Sequence, residues 1–379
     1  ISSDSWPIYI SLQKDGILFK MRRTQDIPDK KSATMFFQDC KLAHQAQITG
    51  IRHSIKEILP PDLLDLTQLQ KEANIRYGFT ASEVYDIAQS LYEKKLISYP
   101  RTSSRYLTED VFDSLPPIMA RLLSWELFPA AKGTASIDIS SLFRHVINAE
   151  KANVHHAIII TGIRPGNLPE KEMLVYRLVA GRMLEAFMPP CRIETTDIEA
   201  ICAAQHFKAE QTRIIEAGWH DVFMNSDIIP KSGYSVNELP EVEKGDTLNV
   251  CGRNLVHKKQ LPVNPFTDAE LVEYMELNGL GTVSSRTNII RTLVNRKYIR
   301  YSGKYIVPTP KGMFTYETIR GKKIADTSLT ADWEKQLAGL ESGMITRQDF
   351  LNRIRTLAKE MTDDIFNTYS QKEKVSILK

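Results

Sequence analysis

The chain has 379 residues, 42% hydrophobic and 25% charged, the composition of a soluble globular protein long enough for two to four cored domains. Its 49 Lys and Arg against 46 Asp and Glu leave a net charge of only +3, which excludes a global basic bias and confines any nucleic-acid surface to a local patch. The four cysteines, Cys40, Cys191, Cys202 and Cys251, form no C-x-x-C pair, which argues against zinc ribbons and a disulfide framework and for a reducing cytoplasm. No apolar run reaches the roughly 20 residues of a membrane span.

The chain begins at Ile1 with no Met, no basic n-region and no apolar h-region, so the expectation is a fragment or processed chain without a signal peptide. The first sixty residues read as strands and turns. Ile8-Tyr9-Ile10-Ser11-Leu12 and Gly16-Ile17-Leu18-Phe19 flank a Lys14-Asp15-Gly16 turn, a hairpin signal. Pro60-Pro61 breaks the chain, and a helical region starts at Asp65. Thr80-Ala81-Ser82-Glu83 is a capping box, followed by Val84, Ile87, Ala88 and Leu91 at i, i+3, i+4 and i+7, which predicts a helix of about 14 residues ending at Glu93-Lys94-Lys95.

Leu96-Ile97-Ser98-Tyr99-Pro100-Arg101-Thr102-Ser103-Ser104 follows. Pro100 biases Tyr99 towards extended backbone, so the expectation is a tyrosine on a fixed strand end. A phenol can attack phosphorus, but with a pKa near 10 only roughly one part in a thousand is ionised at neutral pH. Arg101 supplies a permanent planar cation that favours the phenolate and stabilises charge on a transferring phosphoryl group. The other reading is a packing tyrosine, one of 14 in the chain.

Asn153-Val154-His155-His156-Ala157-Ile158-Ile159-Ile160-Thr161 places two adjacent histidines before an apolar run. Neighbouring positions do not share a helix face, which disfavours a two-His metal site. One histidine can hydrogen-bond a phosphate or relay a proton, or it can be a satisfied structural residue. Lys171 to Met188 reads as a helix closed by Pro189-Pro190, and Arg192 to Gly252 returns to strands, with a turn at Glu241–Asp246. The pattern is that of a mainly helical domain inserted into a β-rich one.

Thr267-Asp268-Ala269-Glu270 is a second capping box, and Gly279-Leu280-Gly281 stops its helix. Ile289, Ile290, Leu293 and Val294 mark the next helix, and Tyr298–Val307 reads as a hairpin, giving the order of a winged helix. Trp333, Leu337 and Leu340, then Phe350, Ile354, Leu357 and Met361, complete the domain. Residues 286–304 hold Arg286, Arg291, Arg296, Lys297, Arg300 and Lys304 with no acidic residue, and Tyr298, Tyr301 and Tyr305 interleave. This is either a nucleic-acid contact or a solvated helix face with packing tyrosines.

Together these segments resemble type IA DNA topoisomerases, closest to the topoisomerase III branch. The family's active-site pattern is similar to Leu96–Ser104, with Ser103 at a usual Asp. Leu66–Asn74 and Ile87–Glu93 also look like the family's segments. His155-His156-Ala157-Ile158-Ile159 resembles H-H-A-I-I-P-T, with Ile160 at the proline, and Gly279–Arg286 resembles G-L-G-T-P-A-T-R, with Val283 at the proline. Leu329–Glu334 resembles another block, and the match runs in order over residues 60–355.

The resemblance implies a multidomain α+β protein: a discontinuous β-rich hinge (1–60 and 166–258), a mainly helical domain with the tyrosine inserted in it (61–165), and a helical winged-helix-like DNA-binding domain (259–379). It implies Tyr99, Arg101 and His155 as catalytic residues, and Thr102, Thr282, Ser285, Arg286 and Arg291 as contacts to single-stranded DNA. The implied reaction is single-strand cleavage through a 5′-phosphotyrosine, strand passage and religation.

The family's Mg²⁺ ligands lie on a Toprim domain, with a Glu and a D-x-D cluster that this sequence does not contain. The expectation is therefore no metal ligand here, and a fragment, monomeric and cytoplasmic at the nucleoid, that binds DNA without relaxing it. The rival readings are a non-catalytic winged-helix DNA-binding protein and a tyrosine recombinase, which gathers several arginines on its tyrosine and forms the 3′ linkage.

Overall fold

The computed structural model describes residues 4–125, 127–128, 143–152, 155–224, 232–259 and 264–377. Alternation of side chains writes the first two strands. β1 (Ile8–Lys14) buries Ile8, Ile10 and Leu12, and β2 (Ile17–Arg23) buries Phe19 and Met21. Between them Asp15 and Gly16 have φ of 51° and 84°, the left-handed pair that matches a two-residue hairpin to strand twist.

The expectation of strands and turns through residue 60 fails at α1 (Lys30–Leu42). Asp29 caps this helix by accepting from Ser32 N at 2.8 Å, and Ala33, Phe36, Phe37 and Cys40, at i, i+3, i+4 and i+7, pack on the core. β3 (Gln45–Ile58) follows. The next helices are α2 (Leu66–Tyr77), α3 (Ala81–Glu93), α4 (Glu109–Asp113), α5 (Leu115–Ser124) and α6 (Glu170–Phe187). Three strands come next: β4 (Cys191–Cys202), β5 (Gln205–Glu216) and β6 (Thr247–Leu255). The last elements are α7 (Asp268–Leu277), α8 (Arg286–Asn295), β7 (Ile299–Ser302), β8 (Tyr305–Pro308), α9 (Pro310–Ile319), α10 (Thr327–Glu341) and α11 (Arg347–Ile377).

The chain divides into two compact units, where the sequence suggested three domains. The first holds Ile1–Asp62, Met119–His145 and Met183–Val263; the second holds Leu63–Ile118, Val146–Arg182 and Asn264–Lys379. The C-terminal segment thus clusters with the helices that bear Tyr99.

The first unit is a closed barrel in the order β1-β2-β5-β4-β3-β6, with β6 pairing back on β1. Strands from before residue 60 and after residue 190 therefore share one set of ladders, as an inserted helical segment requires. Ile10, Leu12, Met21, Ile48, Ile198, Ala200, Phe207 and Ala209 fill its interior, and burial of each large aliphatic chain contributes about 1.5–3 kcal/mol. The β4–β5 turn is made by Ala203 and Ala204 at φ of 50° and 55°, left-handed positions that nothing in an Ala-Ala pair announces.

In the second unit Thr80 and Thr267 make the capping boxes read from the sequence, each bonded to the N3 backbone with Glu83 or Glu270 reaching back. Val272, Met275 and Ile290 pack with Ala81, so α7 and α8 seat on the start of α3. Gln70 joins α2 to both neighbours, donating to Ala81 O at 2.9 Å and to Thr287 Oγ1 at 2.8 Å. β7 and β8 pair antiparallel, so the order helix, turn, helix, hairpin stands as read.

Candidate active site

The segment carrying Tyr99 begins where α3 ends. Lys95 takes φ of 59°, Lys95 N donates to Tyr92 O at 2.8 Å and Leu96 N to Leu91 O at 2.9 Å. These two bonds are a Schellman cap, with a lysine at the position glycine usually fills and with buried Leu96 set towards Leu91.

From there the chain is pinned to residues 155–161. Ile97 bridges Ile160, and Thr161 N donates to Leu96 O at 3.1 Å. Ser98 is bonded three ways: its N to Ile159 O at 2.8 Å, its Oγ to Ala157 O at 3.1 Å, and Ile159 N to its Oγ at 3.0 Å. Thr102 Oγ1 donates to His155 O at 2.7 Å and accepts from Ser104 N at 3.0 Å. Arg105 Nε reaches Asp65 Oδ2 at 2.6 Å, on the residue whose other oxygen caps α2. The expected strand end is a single bridge; hydrogen bonds from the hydroxyls on either side supply the rigidity instead.

Tyr99, between the two anchors, is only partly buried. The His155 ring centroid lies 4.7 Å from its ring, tilted by 49°. Tyr92 meets it edge-on at 5.3 Å, and the Arg101 guanidinium carbon lies 5.3 Å from its centroid. Arg101 Nη2 donates to Gln89 Oε1 at 3.4 Å, while its Nε is shielded from water and has no hydrogen-bond partner. A shielded guanidinium N–H beside a phenol is a donor set that an oxyanion would satisfy. His156 turns away, its Nδ1 lying 2.7 Å from Ala157 O. Asn153 and Val154 lie outside the described residues.

Tyr99, Arg101 and His155 are thus brought together, and the sequence did not anticipate Gln89 and Tyr92 beside them. The α3 periodicity holds the missed signal: both sit near the helix end that feeds the tyrosine loop.

The expected DNA contacts fare unevenly. Thr282 is exposed in the turn ahead of α8, where its N and Oγ1 bond Ser285 Oγ at 2.8 and 3.2 Å. Thr102, also expected as a DNA contact, is only 3% exposed, with its hydroxyl on His155 O. Arg286 is likewise 8% exposed, with Nη1 on Thr67 Oγ1 at 3.3 Å and Glu276 Oε1 at 3.4 Å. Arg291 grips Asp86 Oδ1 and Oδ2 at 2.9 and 2.8 Å and Ser82 Oγ with its Nε at 2.8 Å, so its fork is occupied.

Mg²⁺ does not fit these residues. The groups around Tyr99 are two aromatic rings and a guanidinium, and among the described residues no three His, Cys, Asp or Glu side chains gather as a metal site. No helix among them is long and apolar enough to cross a membrane.

Comparison with known proteins adds a sequence and a structural likeness. A family profile described as DNA topoisomerase matches residues 1–352. The chain is 32% identical over 344 residues to a DNA topoisomerase 3 of Bacillus licheniformis, covering 84% of this chain and 47% of that protein. It is 29% identical over 383 residues to a DNA topoisomerase 3 of Staphylococcus saprophyticus, covering 94% and 52%. A solved structure of full-length topoisomerase I from Thermotoga maritima superposes with a TM-score of 0.72 at 21% identity, over 95% of this chain and 59% of that one. The chain therefore spans about half the length of the curated relatives it matches.

Proposed function

The chain belongs to the DNA topoisomerase family, in its type IA, topoisomerase III-like branch, and from that premise we propose that Tyr99 is the strand-cleaving nucleophile of the complete protein. Tyr99 Oη forms a bond to the scissile phosphorus and the P–O3′ bond breaks. The 5′ end is left on the tyrosine, and the proton lost by the phenol is balanced by the one gained at the 3′ oxygen. Reversal of the same step after strand passage reseals the DNA, and the phosphodiester energy is kept throughout.

The observation that carries this reading is the convergence of Arg101 and His155 on the ring of a tyrosine whose neighbours on both sides are hydrogen-bonded in place. Arg101 stabilises charge on the phosphoryl oxygens, and His155 bonds the phosphate or passes the proton. Thr282 and Ser285, at the positive end of the α8 dipole, touch the single strand. Thr102 and Arg286 serve by positioning the elements that carry these groups.

In the same reading the barrel is the hinge between segments (1–60 and 166–258), residues 61–165 carry the chemistry, and residues 259–379 hold DNA in the manner of a winged helix. The protein acts as a cytoplasmic monomer, and relaxation requires a carboxylate-bearing, Mg²⁺-binding segment. The 379 residues alone bind single-stranded DNA without relaxing a supercoiled plasmid.

The test is Tyr99→Phe in the complete protein, incubated with an end-labelled single strand and trapped in detergent. The expected outcome is a wild-type adduct that carries a 5′ phosphate, and a variant that forms none while binding the strand as before. An adduct in the variant would remove Tyr99 from the mechanism, and a 3′ linkage would favour recombinase chemistry.

A further inference from the structure

The barrel unit holds a pair of thiols that the chemistry at Tyr99 does not use. Cys40, Cys191, Cys202 and Cys251 are all free, the first three buried and the last exposed. Cys40 closes the apolar stripe of α1 and Cys202 ends β4. Both belong to the barrel core, 0% and 1% exposed, and their side chains hydrogen-bond to one another.

Two arginines fix the elements that carry these sulfurs. Arg23, itself buried, sets its guanidinium carbon 4.7 Å from the centroid of the Phe36 ring, one turn before Cys40 on α1. Its Nε donates to Gln205 Oε1 at 2.9 Å. Gln205 is the residue opposite Cys202 in the β4–β5 ladder, so Arg23 spans the same gap as the two thiols. From β6, Arg253 Nε donates to Cys40 O at 2.7 Å and its Nη2 donates to Ala43 O, which fastens the last turn of α1.

The setting makes the two thiols unequal. The bond from Cys40, then the charge of Arg253, hold Cys202 below the usual thiol range, while the same bond and burial push Cys40 up. The thiolate is the nucleophilic form of cysteine, and here a second thiol lies in reach to resolve its oxidised product. Cys191 has no such neighbour: burial pushes its thiol up, and it stands at the other end of β4, about 35 Å from Cys202.

We propose that Cys40 and Cys202 form a thiol-oxidation site, at which a hydroperoxide joins the two sulfurs into a disulfide that clamps α1 to the end of the β4–β5 hairpin. The Cys202 thiolate attacks one oxygen of hydrogen peroxide and the O–O bond breaks. Cys202 becomes a sulfenic acid, and the hydroxide released takes up the proton that Cys202 gave away on ionising. The Cys40 sulfur then attacks the Cys202 sulfur, the S–O bond breaks, and the oxygen leaves as water with the Cys40 proton. Two thiols and one peroxide give one disulfide and two waters, the sulfurs losing the two electrons that the peroxide gains. Both sulfurs are closed to bulk water, so the site takes a small uncharged oxidant. The link closes a loop over residues 41–201, which takes in β3 and the helices α2 to α6, and a loop that long strongly constrains the unfolded chain.

The test exposes the 379-residue chain, in a Cys251→Ser background that removes the exposed thiol, to hydrogen peroxide. Remaining thiols are then blocked with N-ethylmaleimide in denaturant, and the mass and the peptides are read. The expected result is a loss of two hydrogens, label on Cys191 alone, and a cross-linked peptide pair holding Cys40 and Cys202. Dithiothreitol is expected to restore labelling at both. Cys40→Ala is expected to stop at a Cys202 sulfenic acid that dimedone traps, and Cys202→Ala to leave Cys40 reduced. The oxidised chain is expected to unfold at a higher urea concentration than the reduced one.

Label on both Cys40 and Cys202 after peroxide would overturn the proposal, and so would a cross-link from either to Cys191. A urea midpoint no higher in the oxidised chain would overturn the clamp. None of these readouts involves Tyr99, so the site stands or falls apart from the strand-cleaving reading.

Discussion

Arg101 faces two demands that a lysine cannot meet together. Its Nη2 is held by Gln89 Oε1 while its Nε stays shielded and unpaired beside Tyr99. A planar fork can be oriented through one nitrogen and still present another; an ammonium on a flexible stem offers one charge centre. Arg101→Lys is therefore expected to cut the single-turnover rate of strand cleavage by about 10²–10³. DNA affinity, measured by anisotropy, should change less than tenfold, because one charge among several is retained. Tyr99 with Arg101 was legible because the two stand two positions apart, a phenol and a permanent cation in one short segment; that His155 stands beside them was not. That Thr102 and Arg286 serve the interior was not legible, since a hydroxyl or guanidinium carries the same letter whether it faces DNA or a buried carbonyl.

Among the elements, α2 and α6 are tied by a charge cluster. Glu72 Oε1 accepts from Arg182 Nη2 at 2.8 Å and its Oε2 from Arg76 Nε at 3.0 Å. Burial alone would push the Glu72 carboxyl up, but Arg182 and Arg76 outweigh it and hold it below its ordinary 4.5. A carboxyl depressed in the fold contributes stability that is complete above the unfolded value and is lost as pH falls through the folded one.

Glu72→Gln is thus expected to cost about 3 kcal/mol at pH 7 in urea unfolding, because Arg182 loses a buried counter-charge. The gap to wild type should shrink below pH 4.5. A gap unchanged down to pH 3 would mean that packing, not charge, explains the loss. Capping boxes made α3 and α7 easy to read, since Thr and Glu three apart answer a purely local need. The α1 stripe was equally local but went unread between strands, where Asp29 was the available cue.

On the scale of the whole molecule, the barrel imposes a long-range requirement. β3 has β4 and β6 as its ladder partners, and β1 has β2 and β6. A chain cut after Arg182 loses β4, β5 and β6 and leaves β3 unpaired on both edges, the condition under which strands aggregate. Such a chain is expected to be insoluble, or to lack the strand signal in far-UV circular dichroism, whereas the 379-residue chain shows it; a soluble, strand-rich truncation would refute the closed barrel.

The sequence by itself determined the local features: strand alternation, helix caps, the turn at Asp15-Gly16, the tyrosine with its arginine, and the cationic run. Each of these depends on residues within a few positions of one another. Only the tertiary structure decided which strands close on which, that His155 stands beside Tyr99, and that Arg286 and Arg291 are consumed by Glu276 and Asp86. Those outcomes depend on partners tens to hundreds of residues away, brought close by burial of the apolar faces, and no local pattern carries them.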